Sequence, residues 1–142
     1  PPMAQPTFLS SSLLVAAGGA LGAWLRYLAS RATLAAIGPI AASAFPWATL
    51  LVNTAGSFAM GLLAGWLARH GGTGIWSGGE HWRLLLGVGV LGGFTTFSAF
   101  SLELANMAQR GALGLALAYA LVSVLAGVLG LFAGLMTMRG LA

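Results

Sequence analysis

Gly89-Val90-Leu91-Gly92-Gly93-Phe94-Thr95-Thr96-Phe97-Ser98-Ala99-Phe100-Ser101 is the stretch on which the reading of this chain turns. It lies inside an uncharged apolar run from Leu84 to Leu102, between Arg83 and Glu103. A hydrocarbon core about 30 Å thick needs about 20 apolar residues of helix, so the run is long enough to cross. Inside it the Gly92-Gly93 pair weakens a helix, and β-branched Thr95-Thr96 gives little help in resuming one. The hydroxyl and glycine positions from Gly92 to Ser98 would be wasted against lipid. The expectation is a membrane helix broken near its middle. Such a break frees backbone carbonyls at membrane depth, which is tolerated only beside protein, water or an ion.

Working outward, charges and Pro/Gly/Trp punctuation cut the 142 residues into four apolar stretches, approximately residues 9–36, 47–67, 84–109 and 111–138. They are continuously apolar and lack the alternation of barrel strands, so helices are the spanning form. The first is read as a span and not a cleaved leader, because no basic segment precedes it and further spans follow. The linkers are Gly38 to Pro46 and Arg69 to Trp82, with a very tight turn near Arg110-Gly111. The reading is an all-α integral membrane protein, a single four-helix domain over 1–142.

Composition closes the other classes. The chain is 58% hydrophobic and only 6% charged, roughly a quarter of the globular norm of about 25%. No charged coat is available for a soluble domain, and disorder would require the opposite balance. The net charge of +4 comes from six single arginines, Arg26, Arg31, Arg69, Arg83, Arg110 and Arg139, with no basic stripe to follow phosphates. There is no cysteine, and His70, His81 and Glu80 share the second linker without metal-ligand spacing. No elbow, phosphate loop or carboxylate pair is present, so no enzyme is indicated.

Orientation is balanced. Four spans place Arg69, Arg83 and Arg139 on one side, and Arg26, Arg31 and Arg110 on the other. Three against three gives no positive-inside bias. A chain that inserts both ways can pair with an opposite copy, so an antiparallel, dual-topology homodimer is expected. Two broken helices would then meet on the symmetry axis, and their carbonyls could enclose a small hard cation such as Na⁺. Small residues at four-residue spacing, Gly18/Gly22, Gly61/Gly65, Gly89/Gly93 and Gly130/Gly134, suit close helix contact in lipid.

Intramembrane polar groups mark function or helix glue. Asn53, with Ser57 a turn later, fits either an interhelical hydrogen bond or a donor lining an anion path. Phe97 and Phe100, at i and i+3, fit core packing or a pair of positive ring edges facing an anion. Tyr119 and Ser123, at i and i+4, fit interhelical bonding or hydroxyl donors on the same path.

Three segments together resemble one family. Gly19-Ala20-Leu21-Gly22-Ala23-Trp24-Leu25-Arg26-Tyr27, Pro46-Trp47-Ala48-Thr49-Leu50-Leu51-Val52-Asn53 and Gly92-Gly93-Phe94-Thr95-Thr96-Phe97-Ser98-Ala99-Phe100-Ser101-x-Glu103 are similar, in order and spacing, to the motifs of the Fluc (CrcB-type) fluoride channels. The resemblance implies a dual-topology homodimer with two antiparallel pores, passive export of fluoride from the cytoplasm, one structural Na⁺ at the centre, and a bacterial inner membrane. Carried over, Asn53 matches the pore amide, and Phe97 and Phe100 the phenylalanines whose ring edges face fluoride. Gly92 and Thr95 match the positions whose backbone carbonyls hold Na⁺. Thr96 and Ser98 fall in the polar part of the break, Tyr119 and Ser123 on the polar track, and Arg26 on the first-helix arginine. Ala99 and Gly127 depart from the family, standing where Thr and a hydroxyl residue are common.

Two other classes compete. A small proton-coupled multidrug-type exporter also pairs four short helices, but needs a carboxylate within a span; the acids here are Glu80 in the linker and Glu103 at the end of the third span. A structural membrane subunit would use Asn53 and the Thr-Thr-Phe-Ser stretch for packing alone.

Overall fold

The computed structural model describes residues 6–70 and 79–140. All regular structure among them is helical, and four helices are long and apolar enough to cross a membrane: Phe8–Ala44, Trp47–His70, Gly79–Gln109 and Leu113–Gly140. The middle of the second linker lies outside the described residues.

Helix α1 (Phe8–Ala44) starts at Thr7, whose hydroxyl accepts the Ser10 N–H, satisfying one of the donors that a helix start leaves open. The segment read from sequence as the first linker is helical over most of its length. Gly38 alone leaves the helical region, at φ 79° and ψ 165°, a conformation glycine adopts without steric cost. Pro39 follows and opens the last piece of helix, where its missing N–H is no loss. The chain therefore changes direction at Gly38 and ends the helix at Phe45, which is extended.

Helix α2 (Trp47–His70) follows at once. The third span is composite: α3 (Gly79–Trp82), a π-helical segment (Arg83–Leu91), α4 (Gly92–Phe94) and α5 (Phe97–Gln109). The wide winding, in which the Gly92 N–H reaches back to the Gly87 carbonyl, was not foreseen from sequence. Between α4 and α5, Thr95 (φ −77°, ψ 158°) and Thr96 (φ −149°, ψ 119°) are extended. The turn into α6 (Leu113–Gly140) is built on Gly111, at φ 75°. The Gly111 N–H donates to the Ala108 carbonyl and the Ala112 N–H to the Met107 carbonyl, the two bonds of a Schellman cap.

Glycines set the packing. Along α2 and α6, Gly61 lies against the Leu131 carbonyl, Gly134 against the Phe58 carbonyl, Gly65 against Met138 and Gly130 against the Thr54 carbonyl. The register rises together on both helices, so they run parallel. Along α1 and the third span, Gly18 meets the Leu85 carbonyl and Gly89, Gly22 meets the Val90 carbonyl, and Gly93 meets the Gly19 carbonyl. This pair is parallel as well. All four of the glycine spacings read from sequence therefore lie in helix contacts where a Cβ would strike backbone or side chain. In lipid such close approach replaces the hydrophobic drive that holds soluble bundles together.

The burial pattern is that of a membrane protein. The buried large apolar side chains among the described residues are Val52, Met107 and Tyr119, whereas Phe8, Leu117, Val124, Leu129 and Phe132 are exposed. The apolar side chains face outward because lipid, not water, is the solvent there.

Candidate functional site

The extended Thr96 sets the geometry. Its N–H and C=O, stranded between two helical pieces, both turn to the Asn53 side chain on α2. The Thr96 N–H donates to Asn53 Oδ1 at 2.8 Å and Asn53 Nδ2 donates to the Thr96 carbonyl at 3.0 Å. An unmade hydrogen bond on such a buried group costs about 1–3 kcal/mol, and more in lipid. The amide is therefore interhelical glue. It is not exhausted by that role: a primary amide has two N–H donors, and one is committed to Thr96.

The same local structure redirects one further donor and leaves two carbonyls without their helical partners. In an unbroken α-helix the Gly92 carbonyl would accept from the Thr96 N–H and the Thr95 carbonyl from the Ala99 N–H. Here the Thr96 N–H goes to Asn53, and the Ala99 N–H goes to Thr96 Oγ1 at 3.2 Å. Thr96 thus caps α5 with its hydroxyl, which also lies 3.3 Å from Ser98 Oγ. The Thr95 hydroxyl bonds back to the Leu91 carbonyl at 2.9 Å. Asn53, Ser57, Thr95, Thr96 and Phe97 line a hollow of about 280 Å³.

Aromatic rings lead away from it. Phe97 and Phe100 have ring centroids 5.7 Å apart, and Phe100 lies 5.2 Å from Tyr119 at 57°. Tyr119 is in turn met edge-on by Phe45 at 5.3 Å. The gradient of burial is steep: Tyr119 is 0% exposed and Phe97 78%.

At the far end stands a cluster the sequence reading missed. Glu103 accepts a hydrogen bond from Thr49 at 2.6 Å on one carboxylate oxygen and from Tyr119 at 2.7 Å on the other. Three helices converge on one acid, with charge-assisted bonds to both oxygens. The signal was available, since Glu103 is three residues beyond Phe100 on the same helical face. The bond also commits the single O–H of Tyr119. Above this cluster opens a cavity of about 720 Å³, whose polar lining includes Thr33, Ser43, Asn106 and Arg110.

The remaining residues divide. The Ser123 hydroxyl, one turn beyond Tyr119, is buried without a hydrogen-bond partner among the described residues. Beside Gly127 there is room, since an added Cβ would stand 3.5 Å from Ser57 Oγ. Arg26, on α1, makes no hydrogen bond or ion pair with this group. Glu80 and Arg83 form an exposed pair at 2.8 Å, and no cluster of His, Cys, Asp and Glu suited to a metal occurs among the described residues.

Four spanning helices with an inside-out apolar surface define a multi-pass helical membrane protein. Residues 13–135 match the family described as CrcB-like protein, Camphor Resistance (CrcB). The chain is 58% identical over 134 residues to a protein of Novosphingobium aromaticivorans named fluoride-specific ion channel FluC, covering 94% of this chain and 100% of that one. It is 50% identical to one of Caulobacter vibrioides (92% and 97% covered) and 53% identical over 131 residues to one of Phenylobacterium zucineum, both with the same name. This chain belongs to the CrcB family.

Proposed function

We propose that the chain is a fluoride channel that gives passive, electrogenic export of F⁻ from the cytoplasm, working as an antiparallel homodimer with two pores. The observation that carries this is the run of ring edges and neutral donors from Tyr119, past Phe100 and Phe97, to the Asn53 amide, anchored at one end by the Thr49–Glu103–Tyr119 cluster. The naming of relatives at 50–58% identity fixes the ion as fluoride rather than another small anion.

Fluoride is small and strongly hydrated. A path for it must replace water with donors while holding the ion weakly enough at each step for release. The uncommitted Asn53 N–H, the Thr96, Ser98 and Ser123 hydroxyls and the positive edges of Phe97 and Phe100 supply this without a fixed cation to trap the ion. Tyr119 contributes through its ring, because its hydroxyl is held by Glu103. Hydrogen fluoride enters cells as a neutral acid and ionises inside, so a passive anion leak lowers cytoplasmic fluoride.

A second copy completes the path in this reading. Phe97 projects from the chain's surface beside the Asn53 hollow, and the balanced arginines permit both orientations. The Gly92 and Thr95 carbonyls lack their usual helical donors, because the Thr96 and Ala99 N–H groups bond elsewhere, and this supports a cation site at the extended Thr95-Thr96 stretch. Neutral, hard oxygens suit Na⁺, and carbonyls from two copies would hold one ion at the dimer centre. The ion would lock the break and add positive charge near the path.

The test is fluoride efflux from liposomes, followed by electrode with and without excess chloride. Fast electrogenic efflux that ignores chloride is expected; vesicles no leakier than empty ones would overturn the reading. Proton-driven uptake of a lipophilic cation would instead support an exporter, a role for which Glu103 is poorly placed because both of its oxygens are engaged.

A further inference from the structure

We propose that a groove between α2, the start of the third span and the end of α6 is a binding site for an anionic phospholipid. Leu62, Leu63, Trp66, Trp82, Leu86 and Met138 line it, with a volume of about 390 Å³. The lining is apolar side chain throughout, the chemistry that an acyl chain requires. At one end two tryptophans stand at right angles, with ring centroids 6.3 Å apart. Indole is the side chain most at home at the level of lipid headgroups, with one end apolar and the other wet.

The end of the groove carries positive charge that no acidic side chain answers among the described residues. Gly65 packs against Met138, so Arg69, one turn beyond Gly65, and Arg139, next after Met138, stand together at the same end of the parallel α2 and α6. Leu62, Trp66 and Arg69 follow at i, i+4 and i+7, which puts this arginine on the groove face. Both arginines are exposed, and neither makes an ion pair among the described residues. Arg83, close by, is different: Glu80 holds it through two hydrogen bonds of 2.8 Å. The site therefore runs from aliphatic floor to indole rim to exposed guanidinium, the same order of chemistry as an acyl chain, an ester region and a phosphate. The lipid's net negative charge, not its chain alone, is what Arg69 and Arg139 select, since a choline cation offsets the phosphate of a zwitterionic lipid and leaves two guanidinium groups little to gain.

The purified full chain in mild detergent is offered equal amounts of phosphatidylglycerol and phosphatidylcholine with the same acyl chains, and retained lipid is counted by native mass spectrometry. Phosphatidylglycerol is expected to be favoured roughly tenfold or more, the size of effect that two arginines near a headgroup provide. Arg69→Gln with Arg139→Gln should erase the preference while leaving phosphatidylcholine retention unchanged. Leu86→Trp, which fills the floor and keeps both arginines, should lower retention of both lipids. Equal retention by the unaltered chain would overturn the proposal, as would a preference that survives loss of both arginines. Paired chains that carry no lipid would assign the groove to a second copy and overturn it as well. Fluoride flux measured in phosphatidylcholine liposomes should not change in the arginine variants, which separates this site from the pore.

Discussion

Two polar regions of this molecule lie one ring stack apart and are built on opposite terms. At Glu103 both carboxylate oxygens are answered within the chain: Thr49 holds one and Tyr119 the other, and Tyr119 is fully buried. Around Thr95 and Phe97 the chain leaves business open. Asn53 satisfies Thr96, but Phe97 is 78% exposed and two carbonyls have lost their helical donors to Asn53 and Thr96. The first region is an anchor that fixes side chains before anything binds. The second is a surface that a second copy and a passing ion can complete. A conducting path needs both, because a site fully answered by the protein has no affinity left for a guest.

That contrast can be broken most severely at its hinge. Asn53→Asp keeps the acceptor for the Thr96 N–H but sets a negative charge against the Thr96 carbonyl and in the anion path. A like charge about 4 Å away at an effective dielectric of 20 is worth about 4 kcal/mol, so fluoride efflux should fall by about a thousandfold. Efflux within a few-fold of the unaltered protein would remove the amide from the path. Phe97→Ile keeps an apolar surface and removes the ring edge. A ring contact is worth about 0.5–1.5 kcal/mol, which predicts about a tenfold loss of flux with the oligomeric state in detergent unchanged.

On the closed side the expected losses are of stability. Glu103→Gln keeps the shape but removes the charge from two charge-assisted bonds, and should cost about 1–3 kcal/mol, read as a lower midpoint of thermal unfolding in detergent. Gly134→Ala drives a methyl toward the Phe58 carbonyl, an overpacking cost of about 1–3 kcal/mol. It tests the helix seam that supports both regions, by the same unfolding midpoint. The smallest effect is expected at Arg83→Gln, which breaks an exposed pair and should move neither flux nor midpoint measurably. A clear shift there would mean that the outer charges hold the fold together more than the seam does.

Much of this was legible in the one-dimensional text because lipid imposes strict local rules. Uncharged runs of spanning length must be helices, and glycine pairs four apart present one flat face, so the spans and their seams follow from spacing alone. Gly111 at the tight turn was legible for the same reason, since few residues adopt positive φ. Other features escaped. The first linker is helical past Gly38 because Pro39 starts a helix as readily as it ends one. Glu103 closes the third span by sequence, and in the fold it is the acid on which three helices converge. Its partner Thr49 lies 54 residues away, and nothing in the spacing of either residue announces the other.

Composition and periodicity settled by themselves that this chain lives in a bilayer as a bundle of tight-packed helices, because each such property depends on neighbours within a turn or two. Which polar groups are answered and which are left open was decided only in three dimensions. A hydrogen bond such as that between Asn53 and Thr96 depends on where two distant helices bring their side chains, and a donor committed to one partner is withdrawn from another.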